Sequence, residues 1–342
     1  MHIDTAAVIA HEGVEKIGQA DLDPREFFYE VAERIGRVVP FDAAGWLTLD
    51  PDTLLSSGAL ETEKPPEFVR SVWRNELLEP DVHKIADLAR RRRAVASLSE
   101  LDEETLDQSP RVQSINRPAG IGDEMRIVLR ANGTVWGSAA LYRELDSPDF
   151  DHDDRTFLAG IADEVGEGLR RSLSRRPAPG AGAIAPGVVA FTAHGEIVST
   201  TAEAGRLMDL MPGDAAVTLF TVAIRAGRDE HARARVRLDD GRWLLLHGGR
   251  MRGEDDSSPE VMVTLVPAPR AEIASVLLRL HGLSSRELEV AQLLMVGLAT
   301  DEIAKRLHIS RHTLRDHIKA IFAKVGATSR SELMSLTTEH SA

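Results

Sequence analysis

No cysteine occurs anywhere in the 342 residues. That absence excludes disulfides, Cys-ligated zinc or iron–sulfur clusters, thiol redox sensing and thioether-linked chromophores, and it suits the cytosol. The chain also lacks an opening segment of charged then apolar residues, and its longest stretch without charge, Pro177 to Gly195, is broken by proline and glycine. Neither export nor a membrane partner is expected, so the expected location is cytoplasmic. No long-period repeat is visible. No nucleophile with a base and oxyanion donors, and no pair of catalytic carboxylates, can be assembled, so the chain is not expected to be an enzyme. Asp151-His152-Asp153-Asp154 is a tempting group of hard-metal ligands, yet it stands directly before a helical pattern whose positive end favours acidic caps. Capping, with no metal, is the expectation. No residue announces a cofactor, whose identity is left unknown.

What is present is concentrated in the last sixty residues. Ser284 with Glu287 three positions on reads as a capping box, followed by Leu288, Ala291, Leu294 and Met295 on one helical face until Gly297. Thr300, followed by Asp301 and Glu302, is expected to cap a second helix with Ile303, Ala304 and Leu307 inward, ending near His308. Ser310 caps a third, in which Leu314, Ile318, Ile321, Phe322 and Val325 form a buried stripe until Gly326, while Arg311, Arg315, Lys319 and Lys324 occupy other faces. A fourth helix is expected from Ser329, boxed by Glu332, with Leu333 and Leu336 as an apolar seam for a second copy.

Charge agrees with this picture. The chain carries −13 overall, but from Ser275 onward nine basic residues face seven acidic ones, giving +2 there and −15 in the rest. Such a local basic patch fits the phosphate backbone of double-stranded DNA.

The order and spacing of LSSRELEVAQLL, DEIAKRL, TLRDHI and KVGATSRSEL resemble the LuxR-type helix-turn-helix. The resemblance implies an all-α four-helix domain over 283–342, with the motif proper at 300–319 and Arg311 to Val325 as recognition helix. It implies that Thr313 and Arg330 lie near the phosphate backbone and that Arg315, Asp316 and Lys319 face base edges; Ser310, Arg311 and Lys305 are expected at the DNA as well, the last two holding phosphates. His317 matches a frequent family histidine, and either internal packing or a phosphate-facing position is open to it. Asp316 departs from the usual amide or aliphatic residue, and either accepts from cytosine N4 or stays clear of phosphates.

A chain of this length predicts more than one domain. Residues 174–187, rich in Pro, Gly and Ala, read as a linker, and 267–282 as a connecting helix after Pro267-Ala268-Pro269. In residues 1–173, Asp23-Pro24 starts a helix and Trp46 to Leu49 a strand. A helical, charged stretch follows from Pro65 to about Asp107. Two strands then meet at Asn132-Gly133, and a long helix runs from Asp153 to about Leu173. This layout, with Val135-Trp136-Gly137-Ser138-Ala139-Ala140-Leu141 as its most distinctive piece, resembles an α+β GAF domain. The resemblance implies a ligand pocket near Pro65 to Asn116. Trp136 and Tyr142 could line it, although core filling is the default for aromatics. Arg90 to Arg93 reads as a solvated helix end or loop.

Residues 188–266 read as antiparallel sheet, with Arg233, Arg235 and Arg237 expected on an exposed face. This stretch resembles a shortened, α+β PAS-like domain, although Thr200-Thr201-Ala202-Glu203 stands where the family's asparagine is usual. The combined expectation is a multidomain bacterial transcription regulator, homodimeric on double-stranded DNA, with a small-molecule effector. The alternatives are ligand-free scaffold domains in front of the same DNA module, or an N-terminal small-molecule enzyme.

Overall fold

The computed structural model describes residues 5–62, 64–175, 184–251 and 261–335. Most of the expected linker, and Leu336, lie outside them. The chain forms two compact units, one of Met1–Arg130 with Val135–Pro267, the other of Ala131–Thr134 with Ala268–Ala342.

The first unit opens with α1 (Thr5–Gln19) and α2 (Pro24–Gly36). Asp23 caps α2 in a complete box with Glu26, and Phe27, Phe28, Val31 and Ile35 are its buried stripe, each side chain contributing about 1.5–3 kcal/mol of apolar burial. Then come β1 (Ala43–Leu49), β2 (Ser56–Thr62), α3 (Pro66–Leu78), α4 (Ile85–Leu88), β3 (Val95–Ser97), α5 (Glu103–Gln108), β4 (Ile121–Ala131), β5 (Thr134–Glu144) and α6 (His152–Leu173). The sheet order is β2-β1-β5-β4-β3. Asn132 and Gly133, with φ of 52° and 77°, make the turn between β4 and β5, as the dipeptide implies. Helix α6 lies very close to the sheet: a Cβ on Gly166 would sit 2.2 Å from the Arg130 carbonyl oxygen. Asp151 accepts from the backbone of Asp153 and Asp154, so the acidic cluster is a helix cap.

A second antiparallel sheet follows, built from β6 (Gly187–Phe191), β7 (Ile197–Thr200), α7 (Ala202–Met208), α8 (Ala215–Asp229), β8 (His231–Arg237), β9 (Trp243–Arg250) and β10 (Val261–Pro267). Its order, β7-β6-β10-β9-β8, repeats the connectivity of the first sheet. Helix α8 packs on β8, β9 and β10 and also on α3 and β2. One apolar core therefore runs from Leu49, Trp73 and Leu77 through Val217, Phe220 and Val222 to Leu244 and Val263.

The junction corrects the expected arginine face. Arg233 is exposed, but Arg235 is buried and grips Asp50, itself 1% exposed, through Nε (2.8 Å) and Nη2 (2.7 Å), with Asp52 at 2.6 Å. Arg237 is half-buried and donates to the Arg175 carbonyl. Alternation places arginines on one side of β8, yet it cannot tell that β2 packs against part of that side.

The second unit contains α9 (Arg270–Leu280), α10 (Ser285–Met295), α11 (Thr300–Arg306), α12 (Arg311–Val325) and α13 (Arg330–Ser335). Ser284 and Glu287 form the expected box. Thr300 is not a cap: the helix starts there, Ala299 is the N-cap, and the Glu302 carboxylate accepts from the Ala299 amide at 3.1 Å. Leu333 is buried in the domain core beside Leu314 and Ile321, so it supplies no exposed seam for a second copy. Lys324 turns from the expected cationic face to bond Glu287 (2.7 Å) and the Gly282 carbonyl (3.0 Å), clasping α12 to α10.

Two of these contacts lend themselves to measurement. Arg235→Ala leaves Asp50 buried without its counter-charge and is expected to cost about 3–5 kcal/mol in urea unfolding of the full chain; a loss under about 1 kcal/mol would show that Asp50 finds other compensation. At Glu287, burial pushes the carboxyl up, but the bonds from Lys324 and Ser284 outweigh it and hold it below 4.5. Its contribution to stability is therefore present above the unfolded value and lost as pH falls through the depressed folded value. Lys324→Met should raise the Glu287 midpoint in an NMR titration, and an unmoved midpoint would refute the clasp.

Candidate nucleic-acid interface and a buried cavity

Helix α12 spans fifteen residues, and its apolar positions Leu314, Ile321 and Val325 are buried. Arg311, Arg315 and Lys319 recur every four residues, about 40° apart around the helix, so they line up as one stripe away from the core. All three are exposed, as is Lys305 on α11. Their electrostatic states differ. Arg311 pairs with Asp301 at 2.6 Å, linking α12 to α11, while no ion pair among the described residues engages Lys305, Arg315 or Lys319.

The helix start is built by Ser310, whose hydroxyl accepts from the Thr313 amide at 3.0 Å and lies 2.9 Å from the Thr313 hydroxyl. The turn before it passes through His308, a non-glycine residue with φ of 52°. Asp316 is exposed and sits 2.9 Å from His312 Nδ1, a partner that sequence reasoning does not single out although the two are four apart on one helix. His317 is half-buried. Arg330 is also half-buried and donates to the Leu294 carbonyl, anchoring α13 to the end of α10. The structure thus presents Lys305, Arg311, Thr313, Arg315, Asp316 and Lys319 to solvent and ties the Arg330 guanidinium into the domain.

In the first unit, a cavity of about 50 Å³ lies between α3 and the face of the sheet that carries Leu47, Ser138 and Tyr142. Space exists there because Gly45, Ser138, Ala139 and Ala140 offer almost no side-chain volume. Phe68, Val69, Val72 and Trp73 of α3 form the opposite wall. Phe68, half-exposed, meets Tyr142 edge-on with ring centroids 5.6 Å apart.

One end of the cavity is ionic. Arg126 bonds Glu124 through Nε at 2.6 Å and Glu76 through Nη1 at 2.6 Å, and Arg111 bonds Glu124 at 3.0 Å. The Ile85 amide and Asn116 complete the carboxylate shells. Burial pushes the Glu124 carboxyl up, but the two guanidinium groups prevail and hold it down at about 2. Burial, aided by Glu124, pushes the Tyr142 hydroxyl well above its ordinary value, so it remains a neutral donor. Sequence reasoning places a pocket in this region and weighs Tyr142 for its lining. It misses Arg126 and Glu76, which belong to separate elements and carry no local motif. Trp136 is buried and does not border the cavity.

Two family models match this chain. Residues 281–337 match the one described as bacterial regulatory proteins, luxR family, and residues 23–169 match the GAF domain. A protein of Aeromonas salmonicida described as an HTH-type transcriptional regulator is 41% identical over 58 residues, which are 17% of this chain and 30% of that one. The chain therefore spans under a third of that relative's length. Among solved structures, Escherichia coli SdiA is 12% identical, covering 95% of this chain and 94% of its own, with a TM-score of 0.39. Vibrio cholerae VqmA in a ligand–DNA complex is 17% identical over 45% of this chain and 82% of its own, with a TM-score of 0.25. The A. aeolicus Nlh2 GAF domain is 10% identical over 48% and 96%, with a TM-score of 0.31. Likeness at these scores is too slight to assign this chain a ligand or a partner. An N-terminal GAF domain and a C-terminal LuxR-type helix-turn-helix domain are both present in this chain.

Proposed function

We propose that this chain is a transcription regulator whose LuxR-type domain binds double-stranded DNA as a homodimer, under the control of the GAF domain and its small-molecule effector. The observation that carries the reading is the stripe of Arg311, Arg315 and Lys319, exposed on a helix whose other side is domain core. Two such helices about one duplex turn apart, roughly 34 Å, would enter successive major grooves. Arg315 and Lys319 read base edges, with Asp316 beside them; Arg311, Thr313 and Lys305 hold phosphates, while Ser310 orients Thr313 and His317 stands at the margin. Arg330 serves this surface by fixing α13 rather than by reaching out, since its guanidinium is committed to the Leu294 carbonyl.

Residues 188–266 read as the PAS-like module, supported by a strand order identical in connectivity to that of the first sheet. Its α8 lies against β8, β9 and β10, which favours a coupling or scaffold role for this module over a second sensor. The effector acts only by binding two arrangements of the chain with different affinity. The main-chain route from module to DNA domain is short, since β10 ends at Pro267 and α9 begins at Arg270.

The test is a salt series of binding isotherms for the full chain on a duplex selected from random sequence. Affinity should fall steeply with salt. Arg315→Ala should lose about 1–3 kcal/mol on the selected duplex and little on scrambled DNA, whereas Lys305→Ala should weaken both alike. Equal losses on both duplexes for Arg315→Ala would remove it from base reading, and salt-insensitive or absent binding would end the proposal.

A further inference from the structure

We propose that the cavity between α3 and the first sheet selects an uncharged ligand: a small, mostly apolar molecule that offers one hydrogen-bond acceptor to Tyr142 and Arg126. This rests on the reading of the GAF domain as a sensor and adds the chemical class of what it senses.

Charge around the cavity is already balanced. The titratable residues bordering it are Glu76, Arg126 and Tyr142. Behind them stand Glu124 and Arg111, so two carboxylates match two guanidinium groups. Each member of this set is buried. An anionic ligand would bring a third negative charge to an arginine already flanked by two carboxylates, and a cation would meet that arginine directly. Neither charge finds an uncompensated partner, and an unpaired charge at a buried site is strongly disfavoured. The nearby polar groups do not change this balance. Burial, helped by Arg91 and Arg111, depresses the His83 imidazole, which stays uncharged, and Asp81 is satisfied by Ser109, Asn75 and the Arg111 amide.

Hydrogen-bond donors, by contrast, are left over. Arg126 spends Nε on Glu124 and Nη1 on Glu76 and the His83 carbonyl, and Nη2 makes no hydrogen bond among the described residues. Ser138, which also borders the cavity, gives its hydroxyl proton to the Ile127 carbonyl. The Tyr142 hydroxyl has no hydrogen-bond partner among the described residues, and its raised pKa keeps the proton in place. Arg126 and Tyr142, each with a donor left over, thus border a space whose remaining walls, Leu47, Phe68, Val69, Val72, Trp73 and the alanines among them, are apolar. A carbonyl, ether or hydroxyl oxygen on a compact hydrocarbon body matches this arrangement. At about 50 Å³ the cavity holds only a few atoms as it stands, so a ring-sized ligand must push Phe68 aside. Phe68 is only partly buried and can yield.

Four probes of similar shape separate charge from size in the full chain: cyclohexanone, methylcyclohexane, cyclohexanecarboxylate and cyclohexylammonium, titrated with ligand-observed NMR. Cyclohexanone should bind most tightly, with both charged probes at least tenfold weaker. Tyr142→Phe should weaken cyclohexanone several-fold and leave methylcyclohexane unchanged. Ala140→Leu, which fills the cavity, should abolish both while far-UV circular dichroism stays as in the parent. Carboxylate or ammonium binding as tight as the ketone, abolished by Ala140→Leu, would overturn the charge rule and leave the sensor reading intact. Binding of no probe, or binding indifferent to Ala140→Leu, would overturn the cavity as a ligand site and the selectivity proposed for it.

Discussion

Helix α8 has almost no face of its own to give to water. Ten of its fifteen residues, from Ala215 to Ala226, are buried, because α3 and β2 cover one side and β8, β9 and β10 another. That single element makes two sheets into one packed body, and the Asp50–Arg235 pair fixes their register beside it. The ion pair is costly to desolvate and so adds little net stability, yet removing either partner strands the other charge in the interior. Trp73 of α3 lines the cavity and also belongs to the core that contains Phe220 and Val222. Close-packed interiors transmit displacement instead of absorbing it. A ligand that moves α3 therefore has to move α8 or open a void, and the second sheet follows.

The same burial explains what is legible in the sequence and what is not. Helices α2, α10 and α12 are legible because each has a side-chain cap and one solvated face, so the apolar residues repeat at helical spacing. Helix α8, AAVTLFTVAIRAGRD, is buried over most of its length and opens on a run rich in β-branched and apolar residues, which a short window reads as strand as readily as helix. Strand β2 and helix α1 are not marked by local pattern either. In the second unit, Thr300 reads as a cap because threonine is a good one, whereas the Glu302 carboxylate satisfies the Ala299 amide and the cap position holds alanine.

The arginines show where local pattern fails. Arg233 and Arg235 alternate with alanine and valine on one strand and look alike in sequence, yet one is exposed and the other is held by two aspartates 183 and 185 residues away. Arg126 in β4 reads as a charged residue on a sheet face, and its role emerges only when α3 brings Glu76 against it. Pairings of this kind join distant segments, and a single chain without relatives aligned to it contains no trace of them. The cluster at Asp151 is legible for the opposite reason: its partners are the backbone amides of Asp153 and Asp154, within three residues.

Helix α12 sorts its four cations into distinct electrostatic tasks. Lys324 is half-covered and holds Glu287, so it is structural. Arg311 and Asp301 form an exposed pair, which in water is worth at most about 1 kcal/mol, and Arg311 can exchange its carboxylate for a phosphate at little cost. Arg315 and Lys319 stand in solvent with no ion pair among the described residues and keep their whole field for a ligand. This division matters because the chain as a whole carries −13 and would repel a polyanion at long range. At physiological salt, charges beyond about 8 Å are largely screened. In the proposed reading, attraction to DNA then comes from cations that touch it, and the helix proposed to offer them holds its single acid, Asp316, 2.9 Å from His312 Nδ1.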